Sequence, residues 1–94
     1  MSSSKNDSRP HFELNVSLPT DARYTETARD LAAHAARQAG CGELRSQAFG
    51  VEVEGVVRGY LEGGDDAEAL TLVLRRRSGP VEALINGRVI TIEP

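Results

Sequence analysis

The chain has 94 residues, with eleven Lys or Arg against fourteen Asp or Glu and a formal net charge of −3. That length allows one small core and excludes separate cofactor and substrate domains, while 22 residues of Leu, Val, Ile or Phe at low net charge suffice for a folded chain. No Trp, two Tyr and two Phe leave little aromatic surface for stacking bases, and the acidic balance argues against a nucleic-acid partner.

Cys41 is the single cysteine, so no intrachain disulfide or cysteine-rich zinc site is expected, and a reducing, cytoplasmic setting is. Residues 1–10 are Ser-rich and polar, without the apolar stretch of a signal peptide. They read as a disordered arm ahead of a single domain over 11–94. No later apolar run reaches membrane-spanning length, so no membrane partner is expected.

Phe12, Leu14, Val16 and Leu18 alternate with Glu13, Asn15 and Ser17, which predicts a half-buried strand ended by Pro19. Thr20 or Asp21 is placed to cap a helix over Ala22 to Ala39, where Ala28, Leu31, Ala32, Ala35, Ala36 and Ala39 recur at helical spacing. Gly40-Cys41-Gly42 stops it, because glycine tolerates the left-handed residue at a helix end. Cys41 is expected in an exposed turn, where the helix C-terminus opposes a thiolate.

Glu43 to Glu62 carries two signals. Val51-Glu52-Val53-Glu54 looks like a strand, and Gly50, Gly55 and Gly59 each cost a helix about 1 kcal/mol. Phe49, Val53, Val56 and Tyr60 nevertheless follow helical spacing, and Leu44, Ala48 and Val51 extend the same kind of stripe. Pattern alone leaves the segment even. After the polar break Gly63-Gly64-Asp65-Asp66, Leu70, Leu72 and Leu74 mark a second strand, and Ser78-Gly79-Pro80 turns the chain. Asn86-Gly87 between two apolar runs predicts a type I′ hairpin pairing Ile85 with Arg88, Ala83 with Ile90 and Val81 with Ile92. One hairpin face is then apolar, and the other carries Glu82, Leu84, Val89 and Thr91.

Phe12-Glu13-Leu14-Asn15-Val16-Ser17-Leu18-Pro19, the long helix ending at Ala39-Gly40, and Ala48-Phe49-Gly50-Val51-Glu52-Val53-Glu54-Gly55-Val56-Val57-Arg58-Gly59 resemble the start of the bacterial anti-sigma-factor serine kinases, which belong to the histidine-kinase-like ATPases, the GHKL fold. The likeness runs from about Phe12 to Ile85 and tips Glu43 to Glu62 towards helix. It implies an α+β fold, a two-layer α/β sandwich in the order β-α-α-β-β-β with two helices on one face of a mainly antiparallel sheet. Glu54 matches the family's catalytic base, but Arg58 stands at the Mg²⁺-binding Asn, and a guanidinium has no lone pair for a metal. With Gly87 on the glycine of the adenine-binding Asp-x-Gly, Ile85 stands at the aspartate and cannot accept the adenine hydrogen bond. No glycine-rich lid follows.

The resemblance therefore implies a shortened, catalytically inactive relative without cofactor or metal, Glu54 being a relic in an exposed i,i+4 ion pair with Arg58. It implies a regulatory domain in bacterial signalling or transcriptional control, with a sigma factor or an anti-sigma antagonist as protein partner. The alternatives are a nucleotide or small-ligand binder that does not hydrolyse, and an unrelated α+β domain. His11 and His34 lack a second ligand at metal-binding spacing. Arg75-Arg76-Arg77 reads as a solubilising run at the end of an edge strand, the other reading being a grip on an acidic partner. Val73, Leu84 and Val89, with Arg75 and Arg77, are expected on the face opposite the helices. They make a homodimer through the hairpin's outer face or edge the expected association.

Overall fold

The computed structural model describes residues 11–62, 69–77 and 79–94, with the side chain of Ala22 left out. The arm expected over 1–10, the break at Gly63-Gly64-Asp65-Asp66 and Ser78 lie outside the described residues. The elements are β1 (Phe12–Pro19), a 3₁₀ turn (Ala22–Tyr24), α1 (Thr25–Gln38), α2 (Glu43–Glu62), β2 (Ala69–Arg76), β3 (Val81–Ile85) and β4 (Arg88–Ile92). The four strands form one antiparallel sheet in the order β1-β2-β3-β4. Both helices cover one face of it, giving the α+β sandwich.

Period-two patterning decides the faces. Leu70, Leu72 and Leu74 of β2, Val81, Ala83 and Ile85 of β3 and Ile90 of β4 are buried against Ala28, Ala32, Ala35 and Ala36 of α1 and Phe49, Val53 and Val57 of α2. Complete burial of a side chain such as Leu72, Leu74 or Ile85 stabilises the fold by about 1.5–3 kcal/mol. The alanine stripe of α1 lets the second helix approach closely. A Cβ on Gly50 would lie 2.6 Å from the Arg29 carbonyl oxygen and 3.2 Å from Ala33 Cβ, so only glycine fits at that crossing.

The α1 terminus follows the sequence closely. Gly40 takes φ +100°, the Cys41 N–H donates to the Ala36 carbonyl and the Gly40 N–H to Arg37, the paired bonds of a Schellman stop. The start differs. Asp21 accepts the Arg23 N–H at 3.0 Å and so caps the 3₁₀ turn, while Tyr24, the residue before α1, makes no side-chain cap. At the hairpin Asn86 (φ 49°) and Gly87 (φ 92°) form the expected type I′ turn. Asn86 also ties the turn to β2, accepting the Thr71 N–H at 2.9 Å and donating its own N–H to the Thr71 carbonyl at 3.1 Å.

α2 is one continuous helix, with its two apolar stripes on opposite sides. Phe49, Val53 and Val57 face the core, whereas Leu44 and Val51 are 81% and 57% exposed, beside exposed Ala48. Leu44, Ala48 and Val51, expected to extend the same kind of stripe, form a second one on the solvent side, because their spacing sets them about half a turn from Val53. The expectation for Cys41 is corrected. It is buried, its thiol donating to the Glu93 carbonyl at 3.6 Å, because the residues after β4 cover the turn.

Candidate functional site: the outer face of the sheet

The residues carried over from the kinase likeness fall in two places, Glu54 with Arg58 on α2 and Ile85 with Gly87 at the hairpin. Glu54 is buried, with Arg58 Nη2 at 3.0 Å and Arg29 Nη1 of α1 at 3.8 Å. The expected exposed pair is thus corrected on its acidic side: the i,i+4 spacing is right, but Arg29 closes over the carboxylate from the neighbouring helix. Ile85 points into the core and is fully buried, and Gly87 sits at the exposed tip of the hairpin. Among the described residues no group of three or more His, Cys, Asp or Glu is placed to hold a metal ion, and no helix is long and apolar enough to cross a membrane.

The interface residues, by contrast, do come together. Antiparallel register sets Val73 opposite Leu84 and Leu84 opposite Val89, so the three make one row across β2, β3 and β4, continued by Asn15 on β1. The row lies on the face away from the helices. Val89 is 52% exposed, and Val73 and Leu84 are half-buried. An adjacent row is Glu13, Arg75, Glu82 and Thr91, in which Arg75 Nε donates to Glu82 Oε1 at 2.6 Å. The charge of Arg75 is therefore met by an acid directly across from it.

The three arginines of the basic run have three different fates. Arg75 faces outward, Arg77 is exposed beyond the end of β2, and Arg76 is buried on the helix side with Nε donating to the Gly79 carbonyl at 3.1 Å. Their strand is not an edge, as the run was read, since β2 pairs with both β1 and β3. Alternation splits the run in a way that a count of consecutive charges hides.

Sequence reasoning missed a recess of about 530 Å³ between α2 and the start of β4, lined by Glu52, Gly55, Val56, Gly59, Tyr60 and Arg88. The signal was available in Gly55 and Gly59, two helix-weakening residues one turn apart, each with nothing within 4 Å of where a Cβ would stand. Comparison of the chain with protein-family models, with curated proteins and with solved structures returned no match.

Proposed function

We propose that the chain is a catalytically inactive regulatory domain that binds a protein partner on the outer face of its sheet. On this reading it is a degenerate relative of the anti-sigma-factor kinases, acting in the bacterial cytoplasm in signalling or transcriptional control, with a sigma factor or an anti-sigma antagonist as the partner class. The observation that carries the partner surface is the row Val73, Leu84, Val89, an apolar stripe with no helix over it and its neighbouring Arg75–Glu82 pair already bonded. A partner covering that row removes apolar surface from water, with Arg75 already neutralised by Glu82.

The inactive part of the reading is supported by chemistry at two positions. Arg58 is held by Glu54 and brings a permanent cation where a metal ligand is needed, and Ile85 is core. Labelled ATP incubated with the protein is expected to turn over no faster than with a denatured control, and turnover abolished by Glu54→Ala would contradict this. A second reading, a small-ligand binder, has the recess beside Gly55 and Gly59 in its favour. Saturable ATP or ADP binding by calorimetry would support it.

The partner surface is tested by a photo-crosslinking residue at position 89 in host cells. A crosslinked second protein that disappears with Leu84→Glu is the expected result. Adducts made only of two copies of this chain, or none, would overturn the partner reading.

A further inference from the structure

We propose that α2 pairs with α2 of a second copy of this chain, antiparallel, through its solvent face. The seam is Leu44, Ala48, Val51 and Gly55, spaced four, three and four residues apart, the alternation of a coiled-coil contact. At 3.6 residues per turn the four fall within an arc of roughly 60°, all exposed, on the side of the helix opposite the core residues Val53 and Val57. Leu44 is the most exposed large apolar residue among those described, at 81%.

Three features select a second copy rather than any other apolar partner. The first is size. With one two-fold axis between positions 49 and 50, Leu44 of one copy lies opposite Gly55 of the other and Ala48 opposite Val51, so each larger side chain meets a smaller one. The recess between α2 and the start of β4 opens on the flank of the seam, beside Gly55. The second is charge. Arg45 and Glu52 lie on the same flank of the seam, about 10 Å apart along the axis, too far to pair on their own helix, and neither has an ion partner among the described residues. Antiparallel helices bring like flanks together, so the same axis sets Arg45 of each copy beside Glu52 of the other, twice. A parallel pair would leave both unmatched. The third is the glycines. Gly55 and Gly59 weaken the helix, and a Cβ at either would meet nothing within 4 Å among the described residues, so a neighbouring helix that packs close gives them a role. The pairing stands on α2 alone and does not depend on what the sheet face binds.

The test is the mass of the full chain by sedimentation equilibrium, from low-micromolar to sub-millimolar concentration, with circular dichroism to check the fold of every variant. The expected result is a reversible dimer. Leu44→Glu, which puts a charge into the seam, should raise its dissociation constant more than about a hundredfold. Glu52→Arg should raise it about tenfold by setting Arg against Arg twice, and Arg45→Glu combined with Glu52→Arg should restore it. A monomer at every concentration overturns the proposal. A dimer indifferent to Leu44→Glu and lost in Leu84→Glu also overturns it, and a double reversal that fails to restore the dimer overturns the antiparallel arrangement.

Discussion

On the sheet, Val73, Leu84 and Val89 lie in one row beside Arg75 and Glu82, which are bonded to each other at 2.6 Å; on α2, Leu44 and Val51 lie beside Arg45 and Glu52, which have no ion partner among the described residues. Both surfaces are apolar strips on a small domain, and exposure alone does not distinguish them. Their charges do. The sheet row is bordered by the bonded Arg75–Glu82 pair and by Glu13, an exposed acid without an ion partner among the described residues, so a single acidic charge lies beside it. The helix seam carries two opposite charges seven residues apart, a pattern that a surface of the same kind turned end for end matches at both points.

The two sides of α2 extend this contrast into stability, and the largest expected effect is there. Gly50→Ala sets a Cβ 2.6 Å from a backbone oxygen of α1 and should destabilise the protein by about 1–3 kcal/mol as the helices are forced apart. Gly55→Ala meets nothing within 4 Å among the described residues and should stabilise the protein by up to about 1 kcal/mol through helix propensity. Urea midpoints give both signs. Shifts of the same sign would mean that the two faces of α2 are not as different as their surroundings indicate. Gly55→Ala should also weaken the dimer while strengthening the fold, since the methyl group occupies space that Leu44 of the second copy needs.

Asn86→Ala acts on the other surface. It loses the side-chain bond to the Thr71 N–H and puts a less tolerant residue at φ 49°, so a loss of about 1–2 kcal/mol is expected. The damage falls on the hairpin that carries Leu84 and Val89. Crosslinking at position 89 should decline while the α2 dimer keeps its mass, and a parallel decline of both would show that the two surfaces are coupled.

Much of this architecture was legible because single-residue rules act locally. The alternation of β1, Asn86-Gly87 and the glycine stop after α1 each need only a few neighbours to be read. What was hidden depends on elements distant in sequence. The spacing of Glu54 and Arg58 suggests solvent, yet Arg29 arrives from α1 to bury the carboxylate. Cys41 reads as exposed until the residues after β4 fold over it. The solvent-side stripe of α2 was visible only as spacing, because periodicity reports that residues share a face and not which face the core takes. Gly50 against Gly55 shows the same limit: one residue type, one helix, and opposite reasons for being there.

Single substitutions at the two surfaces should separate association from stability. Leu44→Glu replaces an exposed side chain and is expected to move the urea midpoint of the monomer by no more than the equivalent of about 0.5 kcal/mol, whereas Leu84→Glu replaces a half-buried one and is expected to cost about 1 kcal/mol while the fold is kept. Their effects on binding should not overlap: Leu84→Glu removes the crosslinked partner and leaves the dimer, while Leu44→Glu does the reverse. A variant that abolished both would argue for a single interface spanning the helix layer and the sheet.

The smallest effect expected is one of pH, at the turn that sets the direction of α2. Arg37 donates from Nε and Nη2 to the two Glu43 oxygens at 2.8 and 3.0 Å, and Gln47 donates to the second at 2.8 Å. These bonds, Arg37 first and Gln47 next, hold the Glu43 carboxyl below the usual carboxylate value. A carboxyl with a depressed value in the folded state takes up its proton more readily in the unfolded chain, so its contribution is complete above the unfolded value. It declines as pH falls through that value and is gone below the depressed one. Both partners are exposed, which keeps the contribution small. Glu43→Gln should therefore be slightly less stable than the parent near neutral pH, and the two urea midpoints should converge on acidification. The sheet pair joins strands that backbone hydrogen bonds already hold, whereas Arg37–Glu43 bridges a short turn between helices and fixes where Leu44 begins the seam. A gap between Glu43→Gln and the parent that widened in acid would show that the carboxylate form is not the stabilising one.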